Sequence, residues 1–149
     1  MSRVTDYFRN FFYRKSVSFS FKKDDTRVLG AIYQPVAKVY FLSDFDNKWR
    51  SIQMLVDTGA DYSILPKYAV SLLEIDLKKS KRVVESVGIG GSQKVSFIEK
   101  TKVKIGSFKR EIPVGIAHSN KLPPIMGRHL FFETFNVSFN KRNKLIFKN

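Results

Sequence analysis

A chain of 149 residues with 43% hydrophobic and 14% aromatic side chains is long enough to bury one core and too apolar for disorder. It has no Cys, which excludes disulfides, thiol nucleophiles and Cys-based zinc sites, and His118 and His129 are too few for a metal cluster, so no metal or cofactor is expected. The formal charge of +14 is spread over several short runs, which reads as solvated strand faces or, more sharply, as attraction to nucleic acid, an anionic surface or acidic proteins.

Residues 1–15 crowd Tyr7, Phe8, Phe11, Phe12 and Tyr13 among arginines and lack the apolar core of a secretion signal. With the strand that follows they form an N-terminal extension, residues 1–27, whose start is expected to be a helix laid on the core, a docking arm or a leader removed by self-cleavage. No run reaches transmembrane length, so the expected location is cytoplasmic. The alternation of Ser16 to Lys22 predicts a half-buried strand, turned by Asp24-Asp25. Val28 to Tyr33 and Val36 to Leu42 are predicted strands of an antiparallel sheet, separated by Gln34-Pro35. A turn over residues 43–48 is no calcium loop, because Trp49 and Leu55 stand where Gly and Glu are needed.

The next run, Ile52 to Val56, carries Asp57 into a turn, Thr58-Gly59-Ala60-Asp61, before Ser63-Ile64-Leu65 resumes. Asp is disfavoured in strands and costly to bury without partners, so an Asp ending an apolar strand suggests a supported reactive group. Thr58 supplies a hydroxyl, and Gly59 lets the loop bend and aim its amides at the carboxylate.

Pro66 is placed to open a short helix carrying Tyr68, Ala69, Leu72 and Leu73, followed by a basic surface loop over residues 78–82. Val83 to Ile98 reads as a long hairpin with Gly88, Gly90 and Gly91 at its tip; Gln93 rules out the dinucleotide motif. Those glycines fit ordinary turn chemistry as well as they fit a functional loop. A second hairpin is predicted from Lys100 to Ala117 around Gly106-Ser107, then a loop over residues 118–124, the element Ile125-Met126-Gly127, and a short amphipathic helix from Arg128 to Phe135. Val137 to Phe139 and Leu145 to Phe147 close the chain as a hairpin.

Taken in order, the apolar run into Asp57-Thr58-Gly59-Ala60-Asp61, the Gly-rich hairpin and Ile125-Met126-Gly127-Arg128 resemble the retropepsin-like aspartic proteases, the single-domain relatives of pepsin, over roughly Val28 to Phe147. The resemblance implies an all-β closed barrel over residues 28–149 with one or two short helices, and a flap made by the Gly-rich hairpin. It implies that Asp57 is catalytic, with Thr58, Gly59, Asp61 and Arg128 in support, and that Gly59, Ala60, Asp61, Ile89 and Gly90 contact a peptide or protein substrate. Arg128 is expected to pair bidentately with Asp61. His129 departs from the Asp or Asn that relatives often carry there.

One Asp-Thr-Gly supplies one carboxylate, whereas this hydrolysis uses two that share a proton. The other aspartates lie in turns or polar surroundings, so the second Asp57 is expected from another copy of the chain, in a homodimer that needs no metal or cofactor. Two other readings are a non-cleaving peptide- or protein-binding module of the same fold and a basic nucleic-acid-binding domain, for which no motif is present.

Overall fold

The computed structural model describes residues 15–88 and 91–149. Twelve strands are β1 (Ser16–Ser20), β2 (Lys22–Thr26), β3 (Gly30–Gln34), β4 (Val36–Leu42), β5 (Trp49–Val56), β6 (Ser63–Leu65), β7 (Arg82–Gly88), β8 (Gly91–Ile105), β9 (Phe108–Ala117), β10 (Ile125–Met126), β11 (Asn136–Asn140) and β12 (Lys144–Lys148). One short helix, α1 (Ala69–Leu73), follows Pro66 as expected. Residues 1–14 and the tip residues Ile89 and Gly90 lie outside the described residues, and with them the expectations for the aromatic stretch and for those two substrate contacts.

Six strands close into a barrel in the order β4-β5-β10-β6-β9-β8, the ring being shut by β4 on β8 with Val39 opposite Ile105 and Phe41 opposite Val103. Period-two alternation explains which side chains enter it. Ala37, Val39 and Phe41 of β4 are buried between exposed or half-exposed neighbours, and Met54, Leu65, Val103, Ile105, Ile112, Val114 and Met126 meet them with no exposed surface. Each such side chain contributes about 1.5–3 kcal/mol by leaving water. The outer face carries part of the excess charge: the Lys104 ammonium lies over the Tyr40 ring at 4.9 Å and the Trp49 ring at 4.7 Å, its stem packed on the strand surface.

Strand β8 serves two structures. An irregularity between Ile98 and Thr101 shifts its register, so its first half pairs with β7 as a hairpin reaching away from the barrel and its second half closes the ring. The first and last of the described strands form a separate sheet, β1-β12-β11, sealed against the barrel by an aromatic chain in which Phe147 lies 6.1 Å from Phe19 and 5.6 Å from Phe135, itself 5.6 Å from Phe108.

Three expectations are corrected. The strand predicted from Ser16 to Lys22 breaks at Phe21, whose N–H donates to the Asn143 carbonyl at 2.8 Å, and a new strand begins at Lys22. Asp24-Asp25 lie within that strand; the turn comes later, because the Thr26 hydroxyl accepts the Leu29 N–H at 2.9 Å and donates to the Gly30 carbonyl at 3.0 Å, with Gly30 at φ 68°. Val28 and Leu29, read as strand, are turn residues. Finally, Arg128 to Phe135 is a turn followed by a 3₁₀ segment, Phe132–Thr134, because Leu130 adopts φ 55° and gives its N–H to the Glu133 carboxylate at 2.9 Å. Among the described residues no helix is long and apolar enough to cross a membrane.

Candidate active site

Asp57 is delivered by β5 to a point where three strands converge. β10 runs parallel to β5, with Met126 opposite Val56, and antiparallel to β6, with Ile125 opposite Ile64, so it passes between the two arms of the Asp57 loop. The Asp57 N–H donates to the Met126 carbonyl at 3.2 Å, and the Val56 N–H to the Pro35 carbonyl at 2.9 Å. Within the loop the Gly59 N–H donates to Asp57 Oδ1 at 2.8 Å, as the sequence suggested, and the Ala60 N–H to the Asp57 carbonyl at 3.3 Å. A Cβ at position 59 would stand 3.2 Å from the same carboxylate oxygen, so glycine gives the donor without the crowding.

The second layer of support comes from the turn after β10. Arg128 and His129 donate their backbone N–H groups to the carbonyls of Ala60 and Asp61 at 3.0 and 2.8 Å. The Gly127 N–H donates to Ser63 Oγ at 3.1 Å, which satisfies a fully buried hydroxyl. Gly127 has no room for a side chain, since its Cβ would lie 2.2 Å from the Tyr62 carbonyl carbon and oxygen. That contact is the physical content of the apolar-apolar-Gly element.

Asp57 is half-buried and Ala60 is likewise partly covered, whereas Thr58, Gly59 and Asp61 are exposed in the single chain. The Arg128 guanidinium does reach Asp61, but through one Nη2–Oδ1 contact, and the expected bidentate fork is absent. Both side chains are largely in water, at 49% and 80% exposure, where such a pair stabilises by no more than about 1 kcal/mol. His129 stands 3.6 Å from the Glu133 carboxylate and takes no part in the loop through its ring.

Beside the loop lies a cavity of about 630 Å³ whose walls include Gly59 to Tyr62, residues Ser86 to Gly88 of β7 with Gly91, Gln93 and Val95 of β8, and Lys121 to Pro123 with Ile125. Its mixed apolar and polar lining suits a peptide-sized ligand. Tyr62 joins two walls: its hydroxyl donates to Ser86 Oγ at 3.0 Å and its ring meets Phe97 edge-on at 4.6 Å. Gly115 on β9 makes space for that ring, since a Cβ there would approach Val95 Cγ1 to 2.7 Å and Tyr62 Cε2 to 3.0 Å. Gln93 Oε1 is buried in the cavity wall with no partner among the described residues. Among the described residues no group of three His, Asp or Glu is placed to hold a metal.

The structure places Asp57, Gly59, Asp61 and Arg128 around one loop, and it adds Tyr62, Ser63, Ser86, Gln93 and Gly115, which sequence reasoning did not single out. Ser63 and Gly115 did carry a signal, a small polar or absent side chain in an apolar strand. The partner of Ser63, Gly127, stands 64 positions away, and the neighbours of Gly115, Val95 and Tyr62, stand 20 and 53 positions away, beyond the reach of local pattern.

Residues 45–131 match the family described as "gag-polyprotein putative aspartyl protease". Among solved structures, a retropepsin-like aspartic protease from Rickettsia conorii is similar with a TM-score of 0.60 over 89% of this chain and 98% of that one, at 24% identity, which is a likeness of fold. No curated protein matches the chain.

Proposed function

Since the chain belongs to this gag-type aspartyl protease family and has the retropepsin-like barrel, we propose that it is an aspartic endopeptidase working as a homodimer, with one Asp57 from each copy. The observation that carries the reading is the Asp57 carboxylate itself, held at a strand end by the Gly59 amide beside a cavity of peptide size, while each chain has a single Asp-Thr-Gly.

In this reading the two Asp57 carboxyls share one proton across the two-fold axis. The ionised one takes a proton from a water between them as the water oxygen bonds to the scissile carbonyl carbon. The other gives its proton to the carbonyl oxygen. Collapse of the tetrahedral species breaks the C–N bond as the first carboxyl gives its newly gained proton to the departing amine nitrogen and a hydroxyl on the tetrahedral carbon returns a proton to the second carboxylate, which restores the singly protonated pair. The Gly59 N–H, donating to Oδ1, fixes the orientation of its own Asp57 carboxyl. Thr58, exposed in the single chain, is free to brace the partner's loop, and Arg128 with Asp61 orients the outer edge of the site. The β7–β8 hairpin serves as a lid, with Ile89 and Gly90, outside the described residues, as the substrate contacts that the family resemblance implies. No metal or cofactor enters any step.

The test is cleavage of a peptide library by the intact chain and by Asp57→Asn. Cleavage reduced at least about a hundredfold by the substitution supports the dyad. Peptide binding by both proteins with cleavage by neither identifies the non-cleaving module.

A further inference from the structure

β2 and β3 pair with each other and join neither of the larger sheets. They are exposed along most of both faces, and their tip is apolar and in water, with Val28 91% and Leu29 74% exposed. A two-stranded hairpin of this kind is marginal in water unless something covers it. Yet this one is shaped in advance: Thr26 closes the turn, Gln34 Nε2 donates to Asp24 Oδ2 across the strands at 3.2 Å, and Lys23 pairs with Asp25 at 3.1 Å.

Its root decides what covers it. β3 enters β4 through Pro35, whose carbonyl accepts the N–H of Val56, the residue before Asp57, and Val36 lies opposite Leu55. β4 then runs away from the Asp57 end of the barrel, so the hairpin that precedes it leaves from that end. Five residues per strand at about 3.3 Å each give it a reach of roughly 17 Å.

We infer that the β2–β3 hairpin is a dimerisation arm whose apolar tip, Val28 and Leu29, docks on the barrel of a second copy of this chain. The inference rests on the reading that the second Asp57 comes from another copy, because the end from which the arm leaves is then the end that faces the partner.

The absence of Cys makes a direct test available. Leu29→Cys in the full chain gives one attachment point for a benzophenone maleimide, and irradiation is expected to link two chains, with the link mapped to the partner's barrel. Links confined to one chain, residues 1–14 included, overturn the inference. In parallel, Val28→Asp combined with Leu29→Asp alters only exposed turn positions and is expected to raise the dimer dissociation constant roughly tenfold in sedimentation while the circular dichroism stays the same. An unchanged constant overturns it. The protease reading fails separately: a dimer that links through the tip but shows no Asp57-dependent cleavage removes the peptidase and leaves the arm, whereas Asp57-dependent cleavage by a dimer indifferent to the tip removes the arm alone.

Discussion

On one wall of the cavity the Asp57 loop takes backbone bonds from Met126, Arg128 and His129, and beneath it Gly127 fits against Tyr62 with no room for a methyl group. On the other wall β7 is paired to β8 alone, and of its residues only Ser86, the partner of the Tyr62 hydroxyl, is partly buried, the others being exposed. The difference teaches a division of labour. A carboxylate that moves a proton needs fixed geometry, which a loop clamped by a non-adjacent strand supplies. A wall that admits a chain needs to open, and an edge strand with few buried groups opens cheaply.

The contrast breaks most severely at Gly127. Gly127→Ala forces a methyl into the Tyr62 backbone, and the expected loss is about 3 kcal/mol or more of stability in urea unfolding, together with activity. A loss below about 1 kcal/mol would mean that the loop yields as easily as the hairpin does. Next comes Ser63→Ala, which leaves the buried Gly127 N–H without its acceptor; about 1–3 kcal/mol is expected by the same measurement.

The hairpin should respond differently. Gly91 has φ 100° and open space around a would-be Cβ, so Gly91→Ala introduces backbone strain without a clash. It is expected to lower global stability by no more than about 1 kcal/mol while changing kcat/KM several-fold, because the strain is confined to a segment that opens on its own. Parallel losses in unfolding free energy and turnover would show that the hairpin is as tightly coupled to the core as the loop. The smallest effect is expected at Arg128→Ala, within about 1 kcal/mol in a dilute single chain, since the pair with Asp61 is exposed. Comparing that value with the variant's dimer affinity sharpens the contrast, for a larger effect on the dimer than on the chain places Arg128 at the interface.

The parts of this arrangement that the sequence disclosed are those written in local period. The apolar run over Val36 to Leu42 and the Gly106-Ser107 turn before Phe108 to Ala117 marked strands, and the apolar run broken by Asp57-Thr58-Gly59 marked the loop. The retropepsin-like barrel followed from the order of three short elements, and the structure bears it out. Misreadings arose where one side chain competed with the backbone. Phe131 and Phe135 have helical spacing, but the Glu133 carboxylate captures the Leu130 N–H and the helix does not form. Thr26 similarly draws the turn away from Asp24-Asp25. The Tyr62 to Ser86 bond and the space left by Gly115 were illegible for a different reason, being relations between strands that only closure of the barrel creates.

The passage of β10 between the arms of the Asp57 loop also fixes an order of events in time. Residues 57–63 acquire their shape from groups at positions 126–129, so closing the loop requires contacts across more than 60 positions of chain. Parallel pairing of β10 with β5 and of β6 with β9 is non-local and therefore late in folding. A chain emerging from the ribosome carries Asp57 before its scaffold, which is lacking until residues 126–129 have been made. Synthesis alone thus keeps the carboxylate unorganised while neighbouring segments are still extended and open to cleavage.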